Sequence, residues 1–224
     1  MSAALRVIVF GAGGNSLGIL DAIEACNALQ PGRYEIAGIL DDMPENAGRL
    51  VLGHRVLGPI AEASRHAGCA FVNGISSIGS FREIPNIVRR SGMPPERFVS
   101  IVHPRATVAQ SARLGRGSSI LAGSVIAPEA VIGDHVIMLQ NSSVNHHSAV
   151  RDFATLSAGV TVLGYVDIGR NAFVSGGATL APRVSIGESA IVGAGSVVIR
   201  DVPPGRVHAG NPARELAGSQ YALD

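Results

Sequence analysis

The sequence predicts a chain in two parts: a small α/β, Rossmann-like domain over residues 1–97, and an all-β coil of hexapeptide repeats over residues 98–224. Three observations lead there. Aliphatic residues recur at every sixth position through the C-terminal half, and a glycine cluster follows a short apolar run near the start. The composition pairs 28 Gly and 46% apolar residues with no Trp and only 4% aromatics, which suits repetitive β-structure with tight corners. With 16% charged residues, a sizeable core is expected and disorder is not.

In the first part, residues 6–10 read as a strand, followed by Gly11-Ala12-Gly13-Gly14-Asn15 and an apolar-periodic helix over 17–29. A second apolar run, 35–40, ends in Asp41-Asp42, and a third, 69–72, leads into Asn73-Gly74-Ile75-Ser76. Strands alternating with helices predict a small parallel sheet. Residues 44–48 read as a surface turn, and 91–96, with Pro94-Pro95, as the approach to the second part. Glycines after the first strand let backbone N–H groups reach a phosphate at a helix N-terminus. As a dinucleotide fingerprint the cluster is defective, because Ser16 occupies the third glycine position of G-x-G-x-x-G. A ligand with a pyrophosphate but no second nucleoside fits better, with Asp41 or Asp42 available to the base or ribose. The bland alternative is a Gly-rich turn that binds nothing.

In the second part, every sixth residue from Val102 to Val198 is Val, Ile, Leu or Met without a break. Gly follows several of them, at Gly115, Gly133, Gly169, Gly187 and Gly193. A period of six fits neither an amphipathic helix nor an alternating strand. It fits a coil with three flat faces and eighteen residues per turn. One aliphatic side chain per face points to the axis, and small residues or Gly make the corners. Coils then stack at the ordinary strand spacing of about 4.8 Å.

Bulk properties exclude several function classes. A net charge of +1 without any Lys/Arg cluster argues against nucleic-acid binding, which needs a concentrated basic face. Cys26 and Cys69 lack metal-ligand spacing and read as two buried hydrophobes in a reducing cytoplasm. Residues 1–10 lack a signal-peptide pattern, and no run approaches the roughly 18 apolar residues of a membrane span. The expectation is a soluble, cytoplasmic protein with no membrane insertion.

The two parts together resemble the bacterial acetyltransferases that act on nucleotide-activated sugars or sialic acids: bacillosamine and perosamine N-acetyltransferases and sialic acid O-acetyltransferases. The likeness runs from the first strand to the tail, including Ile101-Val102-His103-Pro104 and Gly210-Asn211-Pro212-Ala213-Arg214. It implies a left-handed parallel β-helix that forms a homotrimer, with acetyl-CoA as co-substrate in the groove between neighbouring helices. It also implies a nucleotide sugar on the first domain, at Gly11, Gly13, Gly14, Asn15, Asp41, Asp42 and Ser76. Relatives carry His where this chain has Asn15, and an amide can hydrogen-bond but not carry charge.

Of the seven histidines, the resemblance assigns the catalytic base to His146, two residues after the inward Val144. The chemistry needs such a base, because the attacking amine or hydroxyl must lose a proton and imidazole titrates near neutrality. It also needs donors for the charge that develops on the thioester oxygen. Gly164, eighteen residues on, falls one coil above His146, and the resemblance gives a glycine there an oxyanion-hole N–H. Relatives follow the His with Asp or Glu, whereas this chain has His147. Eighteen residues before His147 stands Glu129, which would replace the missing acid by pairing with His147; the alternative is a solvated His147 and an unrelated Glu129.

Thr155 stands where some relatives have a His contacting the acetyl group, and Gly176 and Ala194 fall where relatives touch CoA through the backbone. With no Cys in the repeats, direct transfer in a ternary complex is expected rather than an acyl-enzyme. His103 is expected at the domain junction, and His54, His66 and His208 at the surface. Two other classes stay open: a nucleotide-sugar-binding protein with little catalysis, and a γ-carbonic-anhydrase-like zinc enzyme. The latter would need His135, His146 and His147 to converge, although His135 lies on a different face; no metal is expected.

Overall fold

The computed structural model describes residues 3–223. The first part is an α/β layer on a five-stranded sheet: β1 (Leu5–Phe10), β2 (Tyr34–Leu40), β3 (Leu50–Val51), β4 (His54–Gly58) and β5 (Ala70–Asn73). The strand order is β3-β4-β2-β1-β5, parallel throughout except for the β3–β4 pair. The internal strand β1, between β2 and β5, buries Val7, Ile8, Val9 and Phe10 completely, as expected for a parallel strand covered on both faces. Helix α1 (Gly14–Leu29) lays Ile19, Leu20, Ile23 and Cys26 on the sheet at helical spacing. The helix therefore begins three residues before the sequence reading placed it.

Two elements were not read from the sequence. The β3–β4 hairpin turns at Leu52 (φ 47°) and Gly53 (φ 82°), two consecutive left-handed residues that match the twist of a two-residue turn. The short helix α2 (Ile84–Arg90) follows β5 and buries Ile84 and Ile87.

Residues 101–198 form seventeen two-residue strands, β6 (Ile101–Val102) to β22 (Val197–Val198), stacked into three parallel sheets. Pairing steps by one coil: Ser143 pairs with Val125 below and Thr161 above, eighteen residues away in each direction. The second residue of every strand is the aliphatic one of the repeat, and from Ile120 to Val198 these side chains fill the prism axis. The first coil departs from the pattern. Val108 is 36% exposed, because no coil lies beneath it.

The corners match the sequence expectation only in part. Gly115, Gly169 and Gly187 do not supply the left-handed turn. A Cβ on any of them would run into backbone of the next coil, so they are needed where coils approach most closely. The left-handed φ falls two residues later in the hexad. Glycine supplies it at Gly117, Gly123, Gly159, Gly177 and Gly195, and larger side chains occupy it elsewhere: Glu129, His135, Asn141, His147, Phe153, Tyr165, Asn171, Arg183 and Ser189, at φ 56–67°. These side chains radiate from the edges in vertical columns. Ser118, Ser142 and Ser148 satisfy buried polar positions between coils by donating to carbonyls at 2.7–2.9 Å.

The α/β layer rests on the third sheet of the prism, that of β6 and its stacked partners, and on both edges of that sheet. Gly18 of α1 permits the contact, since a Cβ there would lie 2.7 Å from Leu121 Cδ1. Phe81 meets Phe173 at 5.3 Å, and Arg82 donates to the carbonyls of Ser189 and Tyr221. His103 is buried in the first coil, accepting the Arg105 N–H at Nδ1.

At one of these edges His135 is buried between Phe98, edge-on at 4.6 Å, and Phe153, stacked at 5.0 Å. Burial holds its pKa below the ordinary 6.5, against the opposing pull of Asp134 and Asp152. The unfolded chain therefore takes up this proton first as pH falls, and stability drops as pH descends through about 6.5. His135→Phe keeps the aromatic sandwich and is expected to remove this share of the acid sensitivity, read from urea unfolding at pH 5–8. An unchanged pH dependence would assign it to other groups.

Candidate active site

Two sites emerge, on different sides of the molecule. The first is a cavity of about 560 Å³ at the C-terminal ends of β1, β2 and β5. It is lined by the glycine loop from Gly11 to Asn15, by Asp41 and Asp42, and by Gly74, Ile75 and Ser76. All seven residues expected there from sequence are present. The N-terminus of α1, capped by Gly13 and with no acidic side chain in its first turn, opens onto the cavity. Its free N–H groups and dipole favour an anion.

The two aspartates have structural duties. Asp41 Oδ2 accepts the Ala12 N–H at 2.7 Å, and its Oδ1 accepts from the Met43 N–H and Asn46 Nδ2. Asp42 Oδ1 accepts the Ile60 N–H, while its Oδ2 pairs with Arg90 at 2.7 Å. The only cation among the described lining residues is thus already matched, so an anionic ligand meets backbone amides rather than a basic cluster. Asn15 Nδ2 donates to the Ser76 carbonyl at 2.6 Å, and Ser76 Oγ lies 2.7 Å from Thr155 Oγ1. This relay ties the glycine loop to the third sheet. Thr155 is buried in that junction, and its recorded side-chain partner is Ser76.

Ser16, at the defective third glycine position, is fully buried, and its Oγ occupies the place where a Cβ on Gly74 would stand. The close helix–strand approach is kept instead by a glycine just past the end of β5.

The second site is on the prism edge opposite the third sheet, where β13 (Ser143–Val144) turns into β14 (Ala149–Val150). His146 and His147 project there, both exposed, with their Nδ1 atoms 3.2 Å apart and rings perpendicular at 86°. One Nδ1 must carry the proton and the other accept it. Directly above is Gly164. A Cβ on it would lie 2.8 Å from His146 Cε1 and 2.9 Å from Nε2, so only glycine leaves the imidazole its place. Among the described residues no acceptor is recorded for the Gly164 N–H, whereas the next N–H, of Tyr165, donates to the His146 carbonyl at 3.2 Å.

Some sequence expectations are corrected. Glu129 is in the column below His147, as the eighteen-residue step requires, but no hydrogen bond or ion pair joins the two. Glu129 bonds instead through its backbone N–H, which donates to Ser111 Oγ. His208, like His54 and His66, is half-buried, but its Nδ1 is buried without a partner, and burial holds its pKa down against the pull of Glu215. His135 lies on another edge from His146. Among the described residues, no group of three or more His, Cys, Asp or Glu side chains is placed to hold a metal ion, and no helix is long and apolar enough to cross a membrane.

Gly176 and Ala194 do not meet His146 within one chain. They share a column with Ala158 on the edge between the third sheet and that of β13; a Cβ on Gly176 would lie 3.3 Å from the Ala158 carbonyl oxygen.

No protein-family model matches the chain. Among solved structures, PerB from Caulobacter crescentus, in complex with CoA and GDP-perosamine, superposes with a TM-score of 0.83 at 30% identity. The match covers 97% of this chain and 100% of PerB. The chain belongs to the hexapeptide-repeat acetyltransferase family. The acetyltransferase domain of PglB from Neisseria gonorrhoeae, in complex with acetyl coenzyme A, is similar at 26% identity and a TM-score of 0.82, covering 96% of this chain and 100% of that domain. A probable serine acetyltransferase of Oryza sativa subsp. japonica is 36% identical over 133 residues, 56% of this chain and 37% of that protein. The chain spans about a third of the length of the serine acetyltransferases it matches. As a family member it is an acyltransferase, and its short stacked strands fit the left-handed β-helix of such enzymes.

In this acetyltransferase, sequence reasoning overlooked Tyr165 and Arg183 beside the histidines, and Asn46 and Arg90 at the cavity. The eighteen-residue step that linked His146 to Gly164 also links His147 to Tyr165 and Arg183, so the signal for the first pair was present. Nothing in the sequence pattern brings Arg90 of α2 to Asp42, 48 residues away.

Proposed function

We propose that the protein is an acetyl-CoA-dependent N-acetyltransferase acting on a nucleotide-linked amino sugar by direct transfer, with His146 as general base. The observation that carries this reading is the full-length likeness to PerB, a protein bound to CoA and GDP-perosamine. The geometry agrees with it. The Rossmann-like domain, residues 1–97, takes the nucleotide diphosphate on the α1 N-terminus, and the β-helix domain, residues 98–224, carries the acetyl chemistry. His146 Nε2 accepts the proton as the sugar nitrogen attacks the thioester carbon. The Gly164 N–H serves the oxyanion, the C–S bond breaks, and the thiolate leaves as CoA thiol after taking the proton.

A homotrimer follows from the same reading. In one chain the cavity, the His146 edge and the Gly176–Ala194 edge point away from one another, so a neighbouring copy must bring its own edge and cavity to His146. Acetyl-CoA then lies between two prisms, along the backbone of Gly176 and Ala194. Use of acetyl-CoA is compatible with the cytoplasmic location expected from the sequence.

Acetyl-CoA with a panel of GDP-, UDP- and dTDP-linked amino sugars, GDP-perosamine among them, tests the proposal through release of free thiol. Turnover with at least one amino sugar and none with its hydroxy-sugar counterpart is expected. Nucleotide-sugar binding without thiol release on any of them would instead mark a binding protein.

A further inference from the structure

We propose that Tyr165 is a positioning residue: its ring holds the His147 imidazole so that His147 Nδ1 accepts the Nδ1–H of His146 and leaves His146 Nε2 free to act. The inference rests on His146 being the base of the proposed reaction.

His147 stacks on Tyr165, with ring centroids 4.8 Å apart and planes 16° from parallel. His146 meets the same ring edge-on at 5.3 Å and 87°, so one phenol ring contacts both imidazoles. Arg183, one coil higher, places its guanidinium carbon over the Tyr165 ring, 4.6 Å from the centroid. His147, Tyr165 and Arg183 share the left-handed corner conformation, with φ of 59°, 62° and 67°, so their side chains leave the prism in one direction.

Packing of the core does not explain Tyr165. It is 46% exposed, outside the axial cluster, and at a corner conformation that favours Asn or Gly over a large aromatic. What the ring contacts is the histidine pair and Arg183. The other charged group in the column, Glu129, bonds through its backbone to Ser111 and makes no ion pair with His147, so it does not fix the His147 orientation. The neighbour that sets the plane of the His147 ring is therefore Tyr165.

Orientation matters because the pair has only one productive arrangement. For His146 Nε2 to present a lone pair, the His146 proton must be on Nδ1, and that proton needs an acceptor. His147 Nδ1 is the atom within reach, at 3.2 Å. A quarter turn of the His147 ring would remove the acceptor, and the opposite tautomer of His146 would then put a proton on Nε2. A wrong tautomer at such a base is costly even where every distance is kept.

Tyr165→Leu keeps an apolar side chain without a flat face, and Tyr165→Phe keeps the face without the hydroxyl. Tyr165→Leu is expected to lower kcat by about tenfold or more, part of the roughly hundred- to ten-thousandfold that a positioned base contributes. KM for acetyl-CoA should stay within about twofold, and Tyr165→Phe should restore kcat to about the wild-type value. A second measurement needs no substrate: proton–nitrogen correlation spectra of protein labelled with 15N-histidine, with His146→Asn assigning the signal. The Nδ1–H tautomer of His146 is expected in wild type and Tyr165→Phe, and a mixture in Tyr165→Leu.

Unchanged kcat or an unchanged His146 signal in Tyr165→Leu overturns the proposal, as does failure of Tyr165→Phe to rescue. Full activity in His146→Ala would defeat the assignment of the base itself, and the spectra would still decide whether Tyr165 orients the pair.

Discussion

Replacing His146 by alanine is expected to lower kcat for acetyl transfer by about a hundred- to ten-thousandfold, the contribution typical of a positioned general base. Stability and CoA affinity should barely change, since the ring is exposed and no other β-helix side chain packs around it as core. Exposed substitutions of this kind usually stay within about 0.5 kcal/mol. His146→Gln separates the roles further: an amide can still engage His147 but takes no proton, so its kcat should match that of alanine. Single-turnover rates with saturating acetyl-CoA, alongside CoA titrations, provide the measurement. A variant that turned over at the wild-type rate would mean that another group accepts the proton.

Gly164→Ala is expected to cost about a hundredfold in kcat, the effect of moving a catalytic group by roughly 1 Å. A methyl at this position would press on His146 Cε1 and Nε2, at 2.8 Å and 2.9 Å, and the exposed ring is the partner able to yield. Gly164 does not have a left-handed φ, so the backbone tolerates alanine. The unfolded chain loses freedom, and stability should stay level or rise by about 0.4–1 kcal/mol. Lower activity with an unchanged or raised melting temperature is thus the signature to measure. Full activity would show that the contact does not place the imidazole.

The β-helix was legible in the sequence because a single arithmetic rule generates it. A step of six finds the axial residues, and a step of eighteen finds what stacks on what, which is how His146 and Gly164 were paired. The same rule placed Glu129 below His147, yet column position does not decide side-chain direction, and the carboxylate makes no bond to the imidazole. Glycine or small corners were expected, which holds at Gly117 and Gly159 but not where larger side chains take the same φ. Gly133 stands out in the sequence, whereas the residue with the unusual backbone is His135, whose identity gives no hint of its φ of 57°. In the α/β part, the glycine loop and the aspartates were recognisable as a cavity rim. The loads on Asp41 and Asp42 were not, because Ala12, Ile60 and Arg90 come from elements whose spacing carries no repeat. The split between the cavity and the histidine edge depends on how a sheet domain leans on one face of a prism, and no local pattern encodes that.

The pairing of each strand with the one eighteen residues away has a consequence for how the gene can change length. A whole winding inserted or removed beyond Arg183 would leave every vertical neighbour of His146 in place. A loss or gain of one hexad between Asn145 and Gly164 would rotate all later residues by a third of a turn. The Gly164 amide, proposed above for the thioester oxygen, would then sit around the corner from the His146 imidazole, although every residue would still be inside a well-formed prism. Growth of this half of the molecule is quantised by the chemistry it carries, not by its stability.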